Sequence, residues 1–249
     1  MNTPSSPYDE RGMSDRYTAR RHAGTSSPNT VMEEPALLGA LGDTAGLDVL
    51  DLGCGDADLG RLLLEAGCRS YLGVDSSKSM AERARSTLVG TPGRVVRALM
   101  EGFAARPGSV DLVVSRMALH YLPELTPALT RARTWLRPHG RVVFTVPHPV
   151  LTCHDARRPD EGPRRGQVVD DYFETGPRER DWMGTRVVWH HRTVEDHVDA
   201  LTRAGFGLTG LRECAPERQR FGGDTVEYAR RLRVPLFLLL AGTRLEDTS

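Results

Sequence analysis

The chain has 249 residues, 39% of them hydrophobic, enough to bury one large core, so a single globular domain is expected. Formal net charge is zero, with 33 Lys and Arg against 33 Asp and Glu, which argues against nucleic acid or another polyanion as partner. No apolar run reaches the ~20 residues of a membrane span, the first residues lack the apolar stretch of a signal peptide, and the scattered Cys54, Cys68, Cys153 and Cys214 read as reduced thiols of a cytoplasmic protein.

Residues 1–13 are polar and rich in Pro and Ser, so disorder is expected there. Arg16–Ala23 has helical character, which makes 1–24 a polar tail and helical arm, and 25–249 the domain proper. Pro28 to Gly42 should add another turn of helix. Beyond it strands alternate with helices. Strands are expected near Asp48–Leu52, Ser70–Val74, Arg94–Ala98, Val110–Ser115 and Arg141–Val146, and helices near Asp58–Ala66, Lys78–Thr87 and Pro123–Leu136. This alternation makes a parallel sheet with helices on both faces. After Pro147 the rhythm breaks, and residues 148–190 run long and charged but carry Tyr172, Phe173, Trp182 and Trp189. We read that insertion as a substrate lid, with disorder the better reading for Ala156–Gly166. Thr193–Ala204 is an amphipathic helix with Thr193 as N-cap and Asp196 at the capping-box position. Leu208–Glu213 and Val234–Ala241 close the sheet as strands. Lys78 is the sole lysine, an arginine bias that points to a GC-rich bacterial genome.

The most informative run is Val49-Leu50-Asp51-Leu52-Gly53-Cys54-Gly55, followed some twenty residues later by Gly73-Val74-Asp75. An apolar strand enters two glycines that permit a sharp turn and close approach to a ligand. A second strand ends on a carboxylate able to accept two hydrogen bonds from a ribose diol. A dinucleotide would require Gly-x-Gly-x-x-Gly, but Asp58 stands at the third glycine position. A carboxylate there repels a pyrophosphate. Asp51 and Asp58 suit a cationic ligand instead, and S-adenosylmethionine carries a sulfonium and an ammonium.

On these residues the chain resembles the class I S-adenosylmethionine-dependent methyltransferases. Asp51–Gly55 is similar to their cofactor loop, Gly73–Met80 to their acidic strand end and following helix start, Ser109–Ser115 to their fourth strand, and Met117–Tyr121 to the loop beyond it. The resemblance implies a doubly wound, mostly parallel, seven-stranded Rossmann-like sheet of the α/β class with a terminal antiparallel hairpin. It also implies cofactor contacts from Tyr17, Asp51, Gly53, Cys54, Gly55, Asp75, Ser76, Met80, Met100, Glu101 and Ser115. In this family an acidic residue usually stands where this chain has Leu99, so backbone groups of Met100 and Glu101 are expected at the adenine edge.

Methyl transfer is an in-line displacement, so alignment matters most, and some acceptors also need a proton removed. His120, just past the fourth strand, reads either as that base or as a hydrogen-bonded wall residue. His148 follows the fifth strand at the same sheet edge, and is either a second candidate base or a turn residue. His190-His191-Arg192 precedes the capped helix and resembles a His-Arg-Thr segment of one bacterial branch of the family. It makes His191 a third candidate base and His190 part of the acceptor wall, with Tyr121, Trp182 and Trp189. Arg192 is either a clamp for a substrate carboxylate or phosphate, or a surface ion pair. No metal is expected, because the spacing of His148, Cys153, His154 and Asp155 matches no zinc motif. The expected activity is methylation of an O, N or C nucleophile on a small molecule, a specialised metabolite by first choice, in a monomer or homodimer. The competing readings are a peptide or carboxylate methyltransferase, a non-catalytic cofactor-binding protein and a nucleotide-dependent oxidoreductase.

Overall fold

The computed structural model describes residues 6–24, 27–154 and 166–246. Seven strands form one sheet: β1 (Asp48–Leu52), β2 (Ser70–Asp75), β3 (Arg94–Arg97), β4 (Val110–Arg116), β5 (Leu136–Pro147), β8 (Phe206–Arg212) and β9 (Phe237–Arg244). Their order is β3-β2-β1-β4-β5-β9-β8. β1 to β5 run parallel, while β9 pairs antiparallel with both β5 and β8. This is the expected doubly wound sheet with a closing antiparallel hairpin. The chain reverses direction across the sheet between β1 and β4, the place where α/β sheets form a ligand crevice at their carboxyl edge.

The central strands are buried on both sides, so they read as continuous apolar runs. On one face Leu50, Leu52, Val113 and Phe144 pack against α5 (Leu125–Trp135) and α7 (Val194–Arg203). On the other, Val49, Leu112, Val114 and Val143 pack against α2 (Glu34–Leu41) and α3 (Asp58–Glu65). Gly60 lets α3 lie directly on β2, since a Cβ there would come within 2.3 Å of the Tyr71 ring. The α7 capping box forms as expected: Thr193 Oγ1 accepts from the Asp196 N–H and the Asp196 carboxylate accepts from the Thr193 N–H. The last strand starts at Phe237, three residues later than expected, because Pro235 has no N–H to give the ladder.

Two expectations change. The tail is not disordered from residue 6: Pro7–Asp9 forms a helical turn and α1 (Met13–Arg21) follows, anchored by a fully buried Met13. Nor is the insertion 148–190 without regular structure among its described residues. They hold a short helix, α6 (Pro149–Thr152), and an antiparallel hairpin, β6 (Gly176–Trp182) and β7 (Thr185–His191). The cause is alternation: Thr185, Val187, Trp189 and His191 are buried on one side of β7 and the residues between them face out, a period of two hidden by the charges. The disorder expected for 156–165 lies outside the described residues.

Candidate functional site

The glycine loop is built by local backbone chemistry. After β1 the N–H groups of Gly53 and Cys54 both donate to the Val74 carbonyl (2.8 and 3.1 Å), holding the turn against β2. Gly53 has φ +78° and lies so close to Ala118 that a Cβ would come within 2.2 Å of it. Gly55 has φ +57° and open space where a Cβ would point. Cys54 packs its buried sulfur over Gly73, as a small residue should.

Asp75 ends β2 with both oxygens engaged: Oδ2 accepts from the Gly55 N–H (2.9 Å) and Oδ1 from the Ser77 N–H (2.8 Å). Burial pushes its carboxyl up to about 6, an effect moderated by those two N–H donors. A cavity of about 390 Å³ opens above it. From the sheet edge Gly53, Gly55, Asp75, Ser76, Met80, Leu99, Met100, Glu101 and Tyr121 line it. Ser6, Pro7, Tyr8 and Tyr17 of the N-terminal arm and Arg186, Val187 and Val188 of the β6–β7 hairpin close it from the other side. Tyr8 and Tyr121 join across the roof, hydroxyl to hydroxyl at 3.0 Å. Burial pushes the Tyr121 phenol up to about 12, so it stays protonated.

Beside the loop, a smaller recess is lined by Tyr17, Arg21, Asp51, Gly53, Gly55 and Arg116. Asp51 is 1% exposed; Tyr71 donates to its Oδ2 (2.7 Å), while Oδ1 is buried with no partner. Burial pushes this carboxyl up to about 7, against the opposing pull of Tyr71 and Arg116. Arg116, at the end of β4, is clamped by Glu33 (2.8 Å) and Glu34 (2.9 Å), yet its Nη1 is also buried without a partner. Glu33 itself is fully buried and also accepts from Thr145 (2.7 Å). One recess therefore holds an orphaned acceptor and an orphaned donor, the complement of a zwitterion. Such atoms are costly unless a ligand or water meets them.

Comparison with known proteins follows the same line. Residues 49–140 match the model of a methyltransferase domain. A structure of an S-adenosylmethionine-dependent methyltransferase from Mesorhizobium loti shares 35% identity, covering 85% of this chain and 97% of that one, with a TM-score of 0.78. The chain belongs to the S-adenosylmethionine-dependent methyltransferases. The demethylmenaquinone methyltransferase of Lactococcus lactis subsp. lactis is 29% identical over 202 residues, 75% of this chain and 73% of that one. The nocamycin O-methyltransferase of Saccharothrix syringae is 31% identical over 185 residues, 68% and 62% of the two chains. S-adenosylmethionine is thus the cofactor of this methyltransferase. Its residues fit that group: the open cradle at Gly55, the oriented Asp75 carboxylate and the two orphaned atoms stand where a nucleoside and an amino-acid head would go.

The structure brings together Tyr17, Gly53, Gly55, Asp75, Ser76, Met80, Met100, Glu101 and Tyr121 on the main cavity, with Asp51 and Cys54 on the recess beside it. It separates the others from both. The Ser115 hydroxyl donates to the Leu52 carbonyl (2.7 Å) and ties β4 to β1. His148 caps α6: its Nδ1 accepts from the Val150 N–H (3.2 Å) and its Nε2 lies 3.0 Å from Glu213. His191 has both ring nitrogens engaged, by Thr152 (2.7 Å) and the Tyr172 carbonyl (2.9 Å). Arg192 donates to the carbonyls of Leu122 and Pro123 (both 2.7 Å), so it fastens the hairpin to the loop after β4. His190 is half-buried on the hairpin, away from the cavity lining.

His120 lies behind Tyr121 (ring centroids 4.3 Å apart) and against Trp189 (5.0 Å). Burial, with His197 and Arg192 nearby, pushes its imidazole down to about 3, so it is neutral. Trp182 packs at a tilt against Trp189 with centroids 5.5 Å apart and lies under the Arg20 guanidinium; neither indole lines the cavity. Tyr8, Arg21, Glu33 and Arg116 were missed by sequence reasoning. Only Arg116 left a signal, a charge at the end of an apolar strand.

Proposed function

We propose that this methyltransferase moves the cofactor's methyl group to an oxygen, nitrogen or carbon nucleophile of a small molecule, a specialised metabolite being the first candidate. The observation that carries this reading is the cavity lined by the sheet edge on one side and by the arm and hairpin on the other. Arm and hairpin meet over it, and its lining is mostly apolar with the tyrosine hydroxyls, Asp75, Glu101 and Arg186 among its polar groups. A peptide or protein acceptor would call for an open groove, so the roof disfavours that alternative. The nocamycin and demethylmenaquinone enzymes, by their names, also act on small molecules.

When bound, the cofactor supplies an electrophilic methyl on a sulfonium. Asp75 would accept from its ribose hydroxyls, and Met80, Leu99 and Met100 would enclose its adenine. The orphaned Asp51 Oδ1 would receive its ammonium, and Arg21 with Arg116 Nη1 its carboxylate. Tyr17 and Tyr121 would then face the reacting end from opposite sides. Among the described residues lining the cavity none is a histidine. Alignment, able to supply ~7–11 kcal/mol, is therefore the main catalytic contribution. His120 acts as a wall behind Tyr121. Comparative metabolite profiling of cells with and without the gene tests the reading. A compound lighter by one CH2 should accumulate in the deleted strain, whereas loss of methylation on a protein would overturn it.

A further inference from the structure

The N-terminal arm is fastened at points all round the cavity. Asp9 sits over the start of α4 (Lys78–Thr87): its Oδ1 accepts from the Ser77 hydroxyl (2.7 Å) and the Ser79 N–H (3.0 Å), and its Oδ2 from the Lys78 N–H (3.2 Å). The Ser79 hydroxyl donates back to the Tyr8 carbonyl (2.9 Å). Tyr8 meets Tyr121 across the roof and packs edge-on against Tyr17, with centroids 5.1 Å apart. Arg16 donates to the Met183 carbonyl at the hairpin turn (2.9 Å), and Arg20 lies 5.2 Å over the Trp182 ring. His22 closes the circuit at Asp56 (3.0 Å), beside the glycine loop.

The position of the Asp9 contacts matters most. They fall on residues 77–79, and the Ser77 N–H is one of the two donors that orient Asp75. A negative side chain at a helix start is favoured by the N–H groups left unpaired there. Docking of the arm and orientation of Asp75 thus share one helix turn. A ligand in the cavity above Gly55 and Asp75 has the sheet edge below it and Ser6–Tyr8 on the other side, so the arm lies across one of its walls.

We infer that residues 6–22 form a strap that closes over bound cofactor, with Asp9 as its latch and as a positioning residue for Asp75. This rests on the cofactor site proposed above. The strap sets how slowly cofactor product departs, while the acceptor end of the cavity opens and shuts with Tyr8.

The test is stopped-flow binding and release of S-adenosylhomocysteine by the full chain, with thermal melting of the ligand-free protein beside it. Asp9→Ala should release the ligand about ten-fold faster with an unreduced association rate, and Tyr8→Phe should accelerate release about three-fold through loss of one hydroxyl contact. Asp9→Glu should restore part of the slow release. Bound S-adenosylhomocysteine should also protect the Arg16–Tyr17 bond from trypsin in the parent chain and not in Asp9→Ala. Wild-type release from Asp9→Ala, or a lowered melting temperature with unchanged release, would overturn the strap. Failure of the parent chain to bind S-adenosylhomocysteine would instead strike the cofactor site, a result distinguishable from failure of the strap alone.

Discussion

Asp75 holds its two oxygens between the N–H groups of Gly55 and Ser77, so under the proposed reading a ribose diol would meet a carboxylate already oriented. Charge-assisted bonds to such a group are worth ~1.5–3 kcal/mol each, so Asp75→Ala should weaken S-adenosylhomocysteine binding by roughly 10²-fold or more. Calorimetry checks this, and an unchanged affinity removes the ribose assignment. Asp51 carries a pH signature. Its carboxyl goes from an ordinary 3.8 to about 7 on folding, because burial disfavours the charge. The native state therefore keeps a proton that the unfolded chain has lost. The resulting penalty is absent below about pH 4, grows as pH rises and is complete above about 7. Asp51→Asn should melt higher than the parent at pH 8, by roughly 4 °C or more, and equally at pH 4. A cationic head favours the ionised carboxylate, so the parent's affinity for S-adenosylhomocysteine should rise between pH 6 and 8. The Asn variant should bind weakly with no such slope. A parent profile flat with pH would remove Asp51 from the head-group site. That Asp51 and Asp75 lie at the cavity and the recess beside it was legible from the sequence, because each stands at the carboxyl end of an apolar strand of the sheet. His148 and His191 were misread because ligand-type residues at a sheet edge look alike until their hydrogen-bond partners are known.

Elements place these side chains through contacts at two tight joints. The first is α3 on β2, where Gly60 faces the Tyr71 ring and Tyr71 in turn holds Asp51. Gly60→Val should force the helix off the strand, cost ~1–3 kcal/mol and lower the melting temperature by ~2–4 °C for each of them. It should also weaken cofactor binding by moving Asp51; full affinity in a destabilised variant would uncouple the two. The second joint is α2 on β4, where the π-helical turn Asn29–Glu33 brings Glu33 to Arg116. Removing Glu33 leaves buried Arg116 with Glu34 alone and Thr145 without its acceptor, so Glu33→Ala should cost ~2–3 kcal/mol, measurable by urea unfolding. A loss within the noise of a surface mutation would mean that water replaces Glu33. Strand and helix positions were readable because their periodicity is local. The hairpin was not, because the buried residues of β7 alternate with Arg186, Val188 and His190, while the half-buried face of β6 carries Arg178 and Arg180 where apolar residues would mark a strand.

At the level of the whole chain, cofactor binding and stability are linked by mass action. S-adenosylhomocysteine at ~100 times its Kd should stabilise the fold by ~2.7 kcal/mol, roughly 5–10 °C in a thermal melt. NAD at the same concentration should give no shift, and a shift with NAD alone would end the methyltransferase reading of the loop. The strands, the helices and the cofactor loop follow from short-range pattern: apolar runs, glycines at turns and the carboxylates of Asp51 and Asp75 act within a few residues of each other. The closing of the cavity does not. Tyr8 meets Tyr121 and Asp9 meets Ser77 across more than sixty residues of chain, and nothing in a polar, proline-rich start announces either partner. Arg116 likewise shows its role only when Glu33 is folded against it. Local chemistry thus decides what kind of ligand this fold accepts. Only packing between distant segments decides how the ligand is enclosed, since a contact of that length has no periodicity for the linear chain to display.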